Sequence, residues 1–307
     1  EYQRATPAGL RNQGWKDAAD AIPAADGSLP DTPIALAEVQ AYVYGAYVAR
    51  AHLAREAGDR GTQRRYAAKA SALRDAFEAA FWLPDKGYYA IGLDAEKRPI
   101  DALASNMGHC LWAGIVRPER AGLVAERLMS DELFSGWGVR TLATTMAAYI
   151  PLSYHRGSVW PHDNALIASG LMRYGFVDEA HRIIGAMLEA AEFTSGRLPE
   201  LFSGVARTDV GVPVPYPTSC SPQAWAAATP LLFLRLLLRF DPQVRRGRLW
   251  CSPALPHGME RLSVEGIPLD GRRVSVYVEG GEWRVDGLDD EIEVIRRPRE
   301  PLTAEAP

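Results

Sequence analysis

The sequence predicts a mainly α-helical protein, an α/α toroid that this chain builds incompletely, with a small β appendage at its C-terminal end. Three observations predict it. Helical stretches almost free of charge alternate with stretches charged along one face. Proline stands at or near the start of three charge-poor stretches, as Pro33, Pro161 and Pro222. After Asp241-Pro242 the helical period gives way to short alternating runs between glycine-rich turns. Buried and half-exposed helices in strict alternation, with no strand pattern between them, fit two concentric helical layers better than a doubly wound sheet.

The elements follow in order. Residues 34–57 are mostly Ala, Val, Leu and Tyr, with Glu38 the only charge before Arg50, so an inner helix covered on all sides is expected. From Gln63 to Trp82, Tyr66, Ala70, Leu73, Phe77 and Phe81 recur at helical spacing among Arg64, Arg65, Lys69, Arg74, Asp75 and Glu78, which gives an outer helix with a wet face. Leu103 to Val116 carries no charge beyond a potential one on His109, whereas Pro118 to Met129 is studded with Glu119, Arg120, Glu126 and Arg127. A third inner and outer pair covers Pro161 to Tyr174 and Asp178 to Glu192, and a last inner helix covers Pro222 to Phe240. Proline at the first helical position costs no hydrogen bond, so the three prolines mark helix starts. Leu262 to Val264, Val274 to Val278 and Trp283 to Val285 read as strands of the appendage, and Arg296 to Pro307 as a frayed tail. The boundary between residues 1–241 and 242–307 follows this change of texture.

Composition excludes several classes of function. The 307 residues are 47% hydrophobic and 23% charged, an ordinary globular balance. The net charge of −4 gives no clustered positive charge for a phosphate backbone, so no nucleic-acid partner is expected. The longest apolar stretch, Thr229 to Phe240, is broken by Arg235 and Arg239 and is too short for a membrane span. Cys110, Cys220 and Cys251 lie far apart, which suits neither a disulfide framework nor a zinc site and fits a reducing, cytoplasmic setting. The chain opens on Glu1 with no export signal after it, as a piece of a longer chain would.

Polar and aromatic residues that suit neither core nor surface gather in four clusters: Asn12 to Asp17, Ser135 to Gly138, Tyr154 to Asn164, and Leu198 to Glu200 with Cys220 to Trp225. Loops feeding parallel inner helices meet at one mouth, so these clusters are expected to converge. Tryptophan faces beside amides, imidazoles and carboxylates are what a sugar ring requires. Hydrolysis of a glycosidic bond needs two carboxyl groups, and Asp17 and Glu200, each in a loop with few neighbouring charges, form the candidate pair. Taken singly, Asp17 is as simply a helix N-cap and Glu200 a solvated loop residue. Asp20, one turn beyond Asp17, competes for the acid role. Asp163 does so less well, because the first turn of a helix favours its ionised form. His155 and His162 have no zinc spacing, and neither a serine-nucleophile elbow nor a phosphate-binding glycine loop occurs. Cys220 reads as a loop or core residue, and Tyr42, Tyr44 and Tyr47 as helix packing.

Five strings together, Asn12-Gln13-Gly14-Trp15-Lys16-Asp17, Pro33 to Gln40, Ser135 to Thr141, Gly157 to Asn164 and Cys220 to Trp225, resemble the bacterial amylo-α-1,6-glucosidase family, the glucosidase half of glycogen debranching enzymes. The likeness runs over most of residues 9 to 240. It implies an (α/α)6 toroid, inversion at the anomeric carbon, and neither metal nor cofactor. By the same likeness Asp17 is the general acid and Glu200 the general base. Trp15, Glu38, Gln40, Trp137, Tyr154, His155, Trp160, His162, Asp163, Gln223 and Trp225 then contact an oligosaccharide or glucan. Inversion implies carboxyl groups about 6.5–9.5 Å apart.

The chain departs from that pattern in one respect. Only 16 residues precede Asp17 and about eight helices are expected, where the family's ring needs twelve. An N-terminal segment of the same protein, present as a separate chain or upstream of this one, is therefore an expected partner. Beside hydrolysis of an α-1,6 branch stub, two readings stay open: inverting hydrolysis of a small glucosyl or mannosyl conjugate, and a carbohydrate-binding fragment without catalysis.

Overall fold

The computed structural model describes residues 1–303, and by contacts the chain forms two compact units. The first covers residues 1–229, with Leu302 and Thr303 returning to it, and the second covers Pro230–Pro301. The second unit thus begins inside the last long helix, earlier than the change of texture after residue 241.

The first unit is helical. Its helices are α1 (Ala37–Glu56), α2 (Arg60–Phe81), α3 (Asn106–Ala113), α4 (Pro118–Leu128), α5 (Pro161–Arg173) and α6 (Val177–Glu192), and α7 (Ala224–Leu238) starts within it. The order of packing is the alternation read from the sequence: α1 lies on α3 and α3 on α5, while α2, α4 and α6 each back the helix before them. This layered arrangement is that of an α/α toroid.

Local chemistry sets the ends of these helices, and several differ from expectation. Pro161 and Pro118 do open helices. Pro33 and Pro222 do not, because each sits in a bend ahead of its helix, which begins at Ala37 or Ala224. The α2 start is capped by Asp59, whose carboxylate accepts the Thr62 N–H at 2.9 Å. Short strands also lie between helices where none were expected: β1 (Ala35–Leu36), β2 (Trp82–Leu83), β3 (Tyr88–Tyr89), β4 (Gly92–Leu93) and β5 (Pro99–Ile100). Two-residue strands leave no alternating pattern to read. The β1, β4 and β5 strands form one small sheet and β2 and β3 a hairpin. Nor is α1 covered on all sides, since Val43, Ala46, Ala49 and Leu53 form an exposed stripe.

Two glycines bring α3 and α5 together. A Cβ on Gly170 would stand 2.6 Å from the Trp112 nitrogen and 2.7 Å from Leu111 Cβ, and one on Gly108 would stand 2.5 Å from Ile167 Cγ1. The two helices therefore approach backbone to side chain where any larger residue would force them apart. This contact fixes the ends of α3 and α5, and with them His109 and His162.

The second unit contains β6 (Asp241–Gln243), β7 (Arg248–Trp250), β8 (Arg261–Leu269), β9 (Arg272–Glu279), β10 (Glu282–Asp286) and β11 (Glu293–Ile295). The β8, β9 and β10 strands form an antiparallel meander. In the other sheet β7 pairs antiparallel with β6 and parallel with β11. Val276, Val278, Leu249 and Cys251 form the core of this unit. The tail is not frayed over its described part. Arg296 lies over the Trp283 ring and Arg299 donates to Asp241 at 3.0 Å, while the Leu302 carbonyl accepts from Arg173 at 2.6 Å. Residues 304–307 of the expected tail lie outside the described residues. Among the described residues no helix is long and apolar enough to cross a membrane.

The glycine contact is testable with an internal control. Gly170→Ala should lower the unfolding free energy by about 1–3 kcal/mol through overpacking. Gly185→Ala, where an added Cβ meets nothing within 4 Å on α6, should raise it by up to about 1 kcal/mol. Denaturant unfolding of both variants decides it, and equal effects would mean that α3 and α5 are not in tight contact.

Candidate active site

The loop that carries Asp17 has no regular structure and is held from both sides. Lys16, completely buried, donates to Asn106 Oδ1 at 2.7 Å and to the Thr141 carbonyl at 2.6 Å. Burial lowers its pKa to about 8, against the opposing pull of Asp163 and Glu38. On the other side the Ala18 N–H faces His155 Nδ1 at 3.4 Å, and Asn12 Nδ2 donates to the Ala18 carbonyl at 2.7 Å. Asp17 lies exposed between these two anchors.

Rings from three of the predicted clusters meet at this loop. Trp15 stacks on His109 at 5.6 Å and meets His155, Trp160 and His162 edge-on. His155 stacks on Trp160 at 5.0 Å, and His162 lies flat on Trp225 at 3.9 Å with 3° between planes. Burial depresses the basicity of both imidazoles, to about 3 for His155 and about 4 for His162, so both are neutral at ordinary pH.

Glu200 reaches the same place through backbone pairing. Val159 and Phe202 exchange backbone hydrogen bonds at 2.9 and 3.0 Å, which sets residue 200 beside the 154–160 loop. Its buried carboxylate accepts three hydrogen bonds: Oε1 from the Tyr154 hydroxyl at 2.6 Å and Gln223 Nε2 at 3.3 Å, and Oε2 from the Cys220 N–H at 3.1 Å. The Tyr154 phenol is pushed upward by burial, by its bond to Glu200, and by the charges of Glu200 and Asp17. Both carboxylates therefore act on one phenol.

Beneath the rings is a buried polar floor. Asp163 Oδ1 pairs with His109 Nε2 at 2.7 Å, and Tyr42 Oη lies 2.5 Å from His109 Nδ1. Burial alone would raise the Asp163 carboxyl, but the His109 bond and the charges of His109 and Lys16 outweigh it and hold the group below its ordinary value. Glu38 is pushed up by burial, partly offset by Asn106, His109 and Lys16. The Asn106 amide nevertheless stops short of hydrogen-bond geometry, so Asn106 Nδ2 and both Glu38 oxygens are unpartnered. Trp15 Nε1, both His162 nitrogens and Asp163 Oδ2 are buried without partners as well. Buried polar atoms are normally satisfied, and such a concentration marks a place where a polar ligand supplies the bonds.

A cavity of about 680 Å³ adjoins this floor and shares the Trp15, His109, His162 and Trp225 rings with it. Its other walls include Tyr42 and Trp112, while neither Asp17 nor Glu200 lines it. No group of three or more His, Cys, Asp or Glu side chains among the described residues could hold a metal ion.

Of the residues expected at the site, Asp17, Trp15, Glu38, Tyr154, His155, Trp160, His162, Asp163, Glu200, Gln223 and Trp225 thus come to one region. Trp137 is placed elsewhere, buried against Phe193 and under Arg207. Gln40 turns back along α1 to the Leu36 carbonyl. Asp20 pairs with Arg156 at 2.9 Å, which ties the first loop to the 154–160 loop. Sequence reasoning missed Lys16, Asn106, His109 and Tyr42. The signal for His109 was present, since it is the one imidazole on an otherwise uncharged inner helix.

Residues 5–203 match the model of the mannosylglycerate hydrolase MGH1-like glycoside hydrolase domain. The chain belongs to this family. The matched span holds both Asp17 and Glu200. It bears out the glycoside hydrolase part of the sequence resemblance. Among solved structures, a sialidase is similar at TM-score 0.70 and 14% identity, with 92% of this chain and 27% of that chain covered. A GH63 mannosylglycerate hydrolase from Thermus thermophilus, in complex with glucose, is similar at TM-score 0.56 and 22% identity, with 66% and 45% covered. Neutral trehalase Nth1 from Saccharomyces cerevisiae is similar at TM-score 0.53 and 16% identity, with 68% and 38% covered. These likenesses are of fold, and the MGH1-like chain spans less than half the length of each of the three. A search of curated proteins finds no significant match.

The neutral imidazoles make stability depend on pH. Unfolded histidines take up protons near pH 6.5, whereas His155 and His162 in the fold do so only near 3 and 4. Below pH 6.5 the unfolded chain binds more protons, so stability falls as pH drops from 6.5 towards 4, by a few kcal/mol on the order of the combined shifts. Unfolding free energies measured across that range should show the slope, and His162→Gln should flatten it. A slope unchanged by that substitution would mean that His162 is not buried neutral.

Proposed function

We propose that this chain hydrolyses an α-glycosidic bond with inversion, Asp17 acting as general acid and Glu200 as general base. The observation that carries the reading is the Glu200 carboxylate, buried yet given three hydrogen-bond donors, with an exposed Asp17 near enough for both charges to act on the Tyr154 phenol. An ionised base activates water against the anomeric carbon, while a protonated acid on the other face gives its proton to the leaving oxygen. Trp15, Trp160 and Trp225 would carry the apolar faces of the sugar. The unpartnered atoms of Glu38, His162 and Asp163 would take its hydroxyls, since each is buried without a bond of its own.

Two substrates fit this chemistry. The family assignment favours a small α-glycoside, a glucosyl or mannosyl conjugate such as a glycerate glycoside. An α-1,6 branch stub of a glycogen-like glucan, suggested by the five sequence strings, is the second reading, and it would make the chain a debranching enzyme. A cytoplasmic setting belongs to both and rests on three cysteines without disulfides. The proposal also includes a helical segment of the same protein packed on the first unit as a partner. The exposed stripe of Val43, Ala46, Ala49 and Leu53 on α1, with exposed Trp112 and the apolar cavity beside them, supports it.

Glucosyl- and mannosylglycerate, isomaltose and panose, followed by NMR from the first turnover, separate these readings. The expected first product is the β-anomer. Glu200→Gln should lower kcat by about 10²–10⁴-fold while the sugar still binds. First release of the α-anomer would remove the water-activating role of Glu200, and unaltered turnover in the variant would remove its role altogether.

A further inference from the structure

Tyr154, expected from the sequence as a sugar contact, is used differently in the structure. Its hydroxyl is engaged by Glu200 Oε1 at 2.6 Å, the shortest of the three bonds that carboxylate accepts. The rest of the residue is fixed to serve that bond. Its carbonyl accepts from Trp160 Nε1 at 2.9 Å and from Ser158 Oγ at 2.7 Å. Its ring is held edge-on by His155 at 4.5 Å and Trp160 at 4.8 Å, with Tyr216 tilted against it at 5.7 Å. A phenol clamped at backbone and ring has one direction in which to point its proton, and Glu200 lies there.

We propose that Tyr154 is the positioning residue of the Glu200 carboxylate, holding it turned towards the attacking water, and does not bind sugar through its hydroxyl. The inference rests on the hydrolase reading for its consequence but on geometry for its substance. The Cys220 N–H fixes Oε2, Tyr154 fixes Oε1, and Gln223 adds a longer bond to Oε1. Two short bonds to different oxygens set the carboxylate plane, so removing the Tyr154 hydroxyl frees it to rotate. A donor to the charged form lowers a carboxyl pKa, and its loss raises it. Tyr154 remains a donor throughout the working range because its own proton is held more tightly than in free tyrosine.

The test is Tyr154→Phe in the full chain. Without substrate, the Glu200 carboxylate is titrated by infrared difference spectra against Glu200→Gln. The Phe variant should titrate about one to two pH units higher, the size expected for a lost hydrogen bond to a charged group. On whichever of the four α-glycosides above is turned over, kcat should fall about ten- to a hundredfold with KM within twofold, and the acid limb of kcat/KM should move up in step. Should the Phe variant fail to fold, 3,5-difluorotyrosine at position 154, a stronger donor of nearly the same shape, should move the Glu200 titration down instead. An unmoved titration in either variant overturns the proposal, as does a raised KM with unchanged kcat, which is the mark of a sugar contact. Absence of turnover in the unmodified chain would remove the hydrolase reading, and the titration would still decide the role of Tyr154.

Discussion

The buried ammonium of Lys16 is the interaction on which the site depends. A fully buried charge costs several kcal/mol unless it is solvated by the protein, so the fold closes only when Asn106 Oδ1 and the Thr141 carbonyl are both in reach. These partners come from α3 and from the loop before the 154–160 segment, so one side chain welds a short irregular loop to two distant stretches. Trp15 and Asp17 flank Lys16 directly. A loop held only by surface contacts would sample many arrangements, whereas this one presents its tryptophan and its carboxylate in fixed places without a helix or strand to carry them.

The floor around that ammonium combines much polarity with little free charge. His155 and His162 are neutral because burial makes their protonation costly, and Asp163 is ionised because His109 and Lys16 compensate it. Glu38 is pushed the other way by the same burial. Sugar hydroxyls are neutral groups that donate and accept, so a surface of neutral imidazoles, amides and compensated carboxylates matches them better than a field of bare ions. The unpartnered atoms are tolerable only because rigid packing holds them. The tight contact of α3 on α5 through Gly108 and Gly170 is one source of that rigidity.

The sequence was informative wherever a pattern spans several turns. The alternation of uncharged and one-face-charged helices survives in the structure with ends moved by a few residues, because burial on one or all faces is written in every third or fourth side chain. It failed where tertiary context decides. Pro33 and Pro222 read as helix starts because local chemistry allows it, yet each lies in a bend before its helix. Trp137 and Trp15 are both tryptophans in glycine-containing loops, and nothing local tells that one turns to Phe193 and Arg207 while the other joins the cluster. The residues missed at the site, buried Lys16, Asn106 and His109 and half-buried Tyr42, are all polar groups on or beside inner helices. Their meaning is set by partners as far as 125 positions away, as with Lys16 and Thr141, and no window of sequence contains them.

The two carboxyl groups differ in environment in the direction that the proposed chemistry requires. Glu200 is already withdrawn from water and surrounded by donors, so a bound sugar would add little to its desolvation. Asp17 is exposed, so a sugar closing over it removes water from a carboxylate whose neighbours on the chain are a buried lysine and an alanine. Removing water from a carboxyl group favours its neutral form in general. Under the proposed mechanism, substrate binding would itself arm the acid. In that mechanism a base fixed in advance and an acid made by binding would both follow from the burial of one loop and the exposure of another.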